Sequence, residues 1–206
     1  MADIPSPSLN GFAGAWRSLV IAGRLLVENG LPLLVASVLW WIAAPLIVVS
    51  GPATLSLYRL AQQAAAGQRL DLRQIGRSWR GGYRWSSIHT LAWLVVALGI
   101  ILNARLYSAA VSPMLVFSLA LPLLVLWGTI GLYLFPAALH QDSHRFRTSL
   151  RGAVIQIAAQ PQRTVGVWLA FVTITAVCIA VPVLIFIWPG FLALWVSVLI
   201  RSNNPA

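Results

Sequence analysis

The sequence predicts an all-α, polytopic transmembrane helical bundle, and three observations predict it. Of 206 residues, 59% are hydrophobic and only 9% charged, whereas a soluble domain carries about 25% charged residues. Apolar runs near the ~20 residues needed to cross hydrocarbon recur along the chain. Between them the charge is concentrated and positive: fourteen basic side chains, all arginine, against four acids. In so apolar a chain this excess fits the positive-inside rule and anionic headgroups rather than nucleic acid. The length suits one integral membrane domain over residues 1–206, with about five spans plus interfacial amphipathic helices and no second domain.

Residues 1–30 form an N-terminal tail and an amphipathic helix. The tail lacks a basic n-region and a small-x-small cleavage pattern, so no cleavable signal peptide is expected. From Gly11 to Asn29, Phe12, Trp16, Leu19, Val20, Gly23, Leu26 and Val27 share one face at helical spacing. Arg17, Arg24 and Glu28 lie opposite, with Arg24 and Glu28 an i,i+4 pair. Such a helix suits the membrane interface; a crossing is the other reading. Leu31–Val49 is uncharged and reads as the first span, with Pro45 inside it. Gly51, Pro52 and Ala53 then read as a structural turn leading into a helix from Thr54 to Ala66, closed by Gly67.

Residues 50–84 are the first basic segment. Arg69, Arg73, Arg77, Arg80 and Arg84 step by helical intervals and fall within roughly an 80° arc. Leu72, Ile75, Trp79 and Tyr83 form an adjoining apolar stripe, and Gly81-Gly82 is expected to break the helix near its end. The pattern predicts an interfacial helix with guanidinium groups at lipid phosphates. A solvated charged face and a contact for an acidic partner surface are the alternatives.

Ile88–Leu102 is the second span, with His89, Asn103 and Arg105 expected to snorkel to the headgroups. Met114–Leu139 is the third. Residues 140–163 are the second basic segment, with Arg147 and Arg151 as further contact candidates and Phe146, Leu150, Ala153, Val154 and Ile157 along one face. Thr164–Ile187 is the fourth span. The last apolar stretch ends at Ile200 and reads as a short fifth span or a re-entrant hairpin, with the break between Pro182 and Gly190. The two basic segments and Arg201 outweigh Arg17, Arg24 and Arg105, which predicts cytoplasmic basic segments and a cytoplasmic C-terminus. Apolar span, Gly-Pro-Ala (51–53), basic segment, span recurs as span, Phe-Pro-Ala (135–137), basic segment, span. That is the pattern of an internal parallel repeat.

Trp41 to Leu60, WIAAPLIVVSGPATLSLYRL, resembles the signature of the YesL-like bacterial membrane proteins, the domain of unknown function numbered 624. Pro45, Gly51, Pro52, Ala53, Leu57 and Tyr58 carry the likeness, with Trp79–Ser86 similar to the family's basic-aromatic stretch and Tyr133–Pro136 to its second half. The Pro-to-Gly spacing is one residue longer here, and arginine replaces a lysine mixture. The resemblance implies a multispan bacterial inner-membrane protein whose relatives are encoded beside carbohydrate ABC importers. The family has no established catalytic or binding residues, so none is carried over.

Little chemistry is legible. The acids Asp3, Glu28, Asp71 and Asp142 lie outside the predicted spans, which leaves no intramembrane proton relay. No phosphate loop, zinc motif or nucleophile constellation occurs, so no catalytic residue, cofactor or metal is expected and the chain is not read as an enzyme. His140, Asp142 and His144 could clasp a metal if helical, but such residues are ordinary where a span meets water. Cys178 reads as a small buried side chain. The expected function is a non-enzymatic accessory protein, in contact with anionic headgroups and with ABC transporter subunits or further copies of itself. The alternative is a small solute transporter or channel.

Overall fold

The computed structural model describes residues 11–109, 112–140, 145–159 and 161–201, and among them it is helical with no strand. The elements are α1 (Gly11–Glu28), α2 (Gly30–Ala43), α3 (Ile47–Ala65), α4 (Arg73–Ser108), α5 (Pro113–His140), α6 (Phe146–Ala159), α7 (Pro161–Ala180) and α8 (Trp188–Arg201), with a 3-10 turn at Pro182–Phe186 before α8.

Two helices, α4 and α5, are long and apolar enough to cross a membrane, and the number rises to four if each of two bent pairs is one span. In those pairs α1 turns 97° into α2, and α6 turns 99° into α7. The predicted span over 31–49 is not continuous. Pro45 has no N–H for the Trp41 carbonyl and its ring crowds that oxygen, so α2 stops at Ala43 and α3 starts at Ile47. The chain folds back there: the Trp40 indole donates to Thr54 Oγ1 at 2.9 Å. Along one straight helix those residues would sit ~21 Å apart.

Gly51, Pro52 and Ala53 therefore do not form the predicted turn. They lie inside α3, all three buried. Pro52 still frees the carbonyl of Val48, and Ser87 Oγ of α4 donates to it at 2.7 Å. Pro136 in α5 frees the carbonyl of Leu132, which accepts from Tyr58 Oη at 3.0 Å. Both prolines stay helical because a hydroxyl from a neighbouring helix replaces the missing N–H.

The end of α3 follows the expected pattern. Gly67 takes φ 68°, its N–H reaches Ala64 O at 3.0 Å, and the Gln68 N–H reaches Gln63 O at 3.0 Å. This is a Schellman closure. After it α4 returns antiparallel to α3 and runs unbroken for 36 residues. Gly81-Gly82 does not interrupt it, because a Cβ on Gly82 would collide with the Leu55 side chain. Gly82 is the hole into which Leu55 fits.

α8 occupies the axis. Residues Ala193 to Ile200 are all buried, and Trp195, Leu194 and Val196 are sealed completely. A helix apolar on every side belongs in an interior, and its 14 residues fall short of a full crossing. The Trp195 indole donates to Ser18 Oγ of α1 at 3.0 Å. The α1 face that packs inward is thus Gly14, Ser18 and Ala22, while Trp16, Val20 and Val27 are exposed. The packing face is centred on these small residues, and of the apolar face that helical spacing singles out Leu19 and Leu26 pack half-buried beside them. Small residues at fourth positions let helices approach closely, and bulky ones are left to lipid.

Candidate functional site

The site is built on the α3–α4 seam. Gly51 opposes Ser86, Leu55 opposes Gly82, and Arg59 Nη1 donates to Ser78 Oγ at 3.3 Å. Each step is four residues on both helices, so Ser78, Gly82 and Ser86 form a small-xxx-small face turned to α3. A Cβ on Gly51 would stand 2.5 Å from the Ser86 carbonyl oxygen and 2.7 Å from the Ser87 nitrogen. The two backbones all but touch.

Burying that face sets the other outward. Arg73, Arg77, Arg80 and Arg84 are all exposed along α4. Arg69 is exposed too but lies in the connection before the helix, so the stripe has four helical members rather than five. The basic segment is not a separate interfacial helix; it is the first third of the helix that continues into the apolar span. Asp71 fastens its start. Its carboxylate accepts the Arg73 backbone N–H at 2.9 Å and pairs with Arg77 at 3.7 Å. An acid at a helix N-terminus also meets a favourable dipole. Both partners of that pair are largely exposed, so the pair contributes less than ~1 kcal/mol. Of the stripe's apolar neighbours Ile75 is buried and Trp79 half-buried, while Leu72 and Tyr83 are exposed.

His89 joins the second basic segment to the first. Its place near a span end predicts a headgroup contact, but it is 1% exposed. Its Nδ1 lies 2.7 Å from Trp85 O and its Nε2 lies 3.2 Å from Ser149 Oγ of α6. The contact with a carbonyl oxygen requires the proton on Nδ1, and the Ser149 hydroxyl lies 3.2 Å from both His89 Nε2 and Arg145 O, with one proton to serve either. Trp85, Phe135 and Phe146 close around the imidazole at centroid distances of 5.3, 6.4 and 5.4 Å. Phe135 stacks on Tyr58 at 6.1 Å. The joint holds α6 against α4 one turn beyond Arg84. Arg147 and Arg151 of α6 are exposed as well. On α6, Ala153 is buried and Phe146, Leu150 and Ile157 half-buried as expected, while Val154 points out.

Sequence reasoning misses the roles of His89, Ser149 and Tyr58, because a lone polar residue near a span end looks like a headgroup contact. The Ser78-x3-Gly82-x3-Ser86 spacing is the available signal for the seam. Among the described residues no group of three or more His, Cys, Asp or Glu side chains could hold a metal; residues 141–144, which include Asp142 and His144, lie outside them.

These features define an all-helical protein with long apolar helices of membrane-spanning length and a one-sided basic face. Comparison with known protein families, with curated proteins and with solved structures finds no match.

Proposed function

We propose that this is a multi-pass protein of the bacterial inner membrane that works as a non-enzymatic accessory subunit. Its basic face lies in the cytoplasm, with Arg69, Arg73, Arg77, Arg80 and Arg84 extended by Arg147 and Arg151. There the face meets anionic headgroups and an acidic surface on a partner protein. One observation carries the reading: α4 buries Ser78, Gly82 and Ser86 and thereby presents four arginines on a rigid helix that runs on into an apolar span. Arg73, Arg80 and Arg84 have no carboxylate partner among the described residues. A transporter subunit as partner, and carbohydrate uptake as setting, rest on the resemblance at residues 41–60 alone. Self-association is the other partner this face would serve.

The test is the triple charge reversal Arg73→Glu, Arg77→Glu, Arg80→Glu, followed by affinity purification from membranes. Loss of co-purifying importer subunits, with the protein still membrane-inserted, is the expected result. Unchanged association and membrane placement would sink the reading.

A second reading, a small solute transporter, draws on the helix breaks at Pro45 and at Pro182–Phe186, which meet where the Trp41 indole donates to Ile185 O at 2.9 Å. Discontinuous helices hold substrates in many transporters. Against it stands α8, whose sealed Trp195, Leu194 and Val196 fill the axis. Solute movement into liposomes by the purified protein alone would establish it.

A further inference from the structure

Depth along α4 can be read from its charges. Arg73, Arg77, Arg80 and Arg84 are exposed on its first third and Arg105 near its far end, and between Arg84 and Arg105 it carries no Arg, Lys, Asp or Glu. That run is ~30 Å of helix, the thickness of a bilayer's hydrocarbon. α5 runs alongside it: the Trp93 indole donates to Trp127 O at 3.1 Å, and the Trp127 indole donates to Trp93 O at 2.9 Å. Past this clasp Leu98, Leu102, Leu119 and Leu121 are exposed. Guanidinium groups are costly in hydrocarbon and snorkel to its edges, so Arg84 and Arg105 mark the two faces of the layer.

α2, α3 and α8 stop at the first of these marks. Ser87 Oγ donates to Val48 O at 2.7 Å, which puts the head of α3 only ~5 Å beyond Arg84 and ~27 Å short of Arg105. From there α3 runs back beside the basic third of α4, with Leu55 against Gly82 and Arg59 against Ser78. The turn at Pro182–Phe186 sits beside the same fold, because the Trp41 indole donates to Ile185 O at 2.9 Å. α8 leads back from it to Ser37, whose Oγ accepts the Gly190 N–H at 3.0 Å. α7 meets the hairpin at Thr129, through the Trp168 indole, on the body side of the clasp. Both breaks expose apolar side chains: Leu46, Ile47 and Val48 at the first, and Leu184, Ile185 and Phe186 at the second. An apolar face held ~5 Å inside the headgroups has the depth of a half-immersed surface.

We propose that, among the described helices, α4 and α5 alone cross the bilayer, and that the face bearing the two helix breaks rests among the acyl chains of the near leaflet. α2, α3, α8 and the basic third of α4 form a body on that one side. α2 and α3 are then a re-entrant hairpin and not spans, since a chain that turns back at Pro45 stops far short of the opposite headgroups. This deepens the proposed function: the arginines stand on a folded body that a partner reaches from water, not on a loop between spans. It rests on the membrane reading, which alkaline extraction of native membranes tests separately. Release by that treatment overturns both, and retention leaves sidedness to decide the number of crossings.

The experiment uses the full chain with Cys178→Ser and one new cysteine at a time at exposed positions: Glu28→Cys, Leu46→Cys, Gln68→Cys or Ser112→Cys. Right-side-out and inverted membrane vesicles are treated with a membrane-impermeant maleimide. Glu28→Cys and Gln68→Cys are expected to label from the same side, and Ser112→Cys, at the hairpin tip, only from the other. Labelling of Glu28→Cys and Ser112→Cys from one side would make the chain cross between Glu28 and Gln68 and overturns the proposal. Leu46→Cys should label from the tip's side several-fold more slowly than Ser112→Cys; an equal rate there would make α2 and α3 two full crossings. The unsubstituted protein gives a second measurement. In vesicles of phosphatidylglycerol and phosphatidylethanolamine with a trace of phospholipid photoactivatable at its acyl-chain end, peptides 94–104 and 114–126 should label several-fold more than peptide 30–38, where Leu31 and Leu34 are exposed. Equal labelling would put α2 in the hydrocarbon core and overturns the proposal without any variant.

Discussion

α8 and the outer halves of α4 and α5 are built from the same kinds of apolar residue, yet one is the most buried part of the molecule and the other the least. Residues Ala193 to Ile200 of α8 are all buried, while only 17% of the most apolar stretch of α4 and 11% of that of α5 is buried. Hydrophobicity does not separate the two, because lipid tails are as apolar as leucine. What separates them is where small and hydroxyl-bearing residues let backbones approach. Around α8 the Gly190 N–H donates to Ser37 Oγ at 3.0 Å, Trp195 finds Ser18, and a Cβ on Gly190 would meet Ser37. On the outer hairpin Gly99 meets nothing. Close packing follows steric permission and polar joints.

The comparison can be broken by mutation, and the largest effect is expected at the axis. Trp195→Ala should destabilise by ~3–5 kcal/mol through lost packing and the cavity left behind, read as a fall in thermal midpoint in mild detergent. A loss below about 1 kcal/mol would mean that α8 is not the core. Next is Gly51→Ala. Its Cβ meets the backbone of Ser86 and not a flexible side chain, so α3 and α4 must part, at a cost of ~1–3 kcal/mol. Gly99→Ala, one methyl added where nothing lies within 4 Å, serves as the matched control and should be neutral in the same assay. The smallest effect belongs to the Trp93–Trp127 clasp. Trp93→Phe and Trp127→Phe each remove one indole donor from a backbone carbonyl of the facing helix, and each should cost ~0.6 kcal/mol, in the range of hydrogen bonds between membrane helices. No loss in either variant would show that the hairpin does not depend on these bonds.

Much of this is legible in the residues. The helical class, the end of α3 at Gly67, the Arg24–Glu28 pair (3.1 Å), a break between Pro182 and Gly190 and the exposed arginines all follow from local rules, although α7 stops at Ala180 and not at Ile187 as the fourth span predicts. The errors share one cause. Local rules read Gly51-Pro52-Ala53 and Gly81-Gly82 as breaks, yet both stay helical, while α2 ends before Pro45 and α7 before Pro182–Phe186. Pro52 and Pro136 remain helical because Ser87 and Tyr58 supply hydroxyls from 35 residues ahead and 78 behind in the chain, a donation that no local pattern encodes. α1 shows the same limit: of the face that periodicity finds, Leu19 and Leu26 pack inward while Trp16, Val20 and Val27 are exposed, and Gly14, Ser18 and Ala22 are the residues buried. What they pack against lies far along the chain, at Trp195.

By itself, the sequence determined that the chain is helical and apolar and that its cations gather in two segments, because composition and periodicity act locally. Only the tertiary structure decided which apolar helix becomes the core and which stays exposed. It also decided that Gly82 is a socket and not a break, and that His89 ties α6 to α4 instead of reaching for the surface. The reason is physical: once every side chain is apolar, burial is set by steric fit and by donors that meet acceptors across helices, and both depend on residues far apart in the chain.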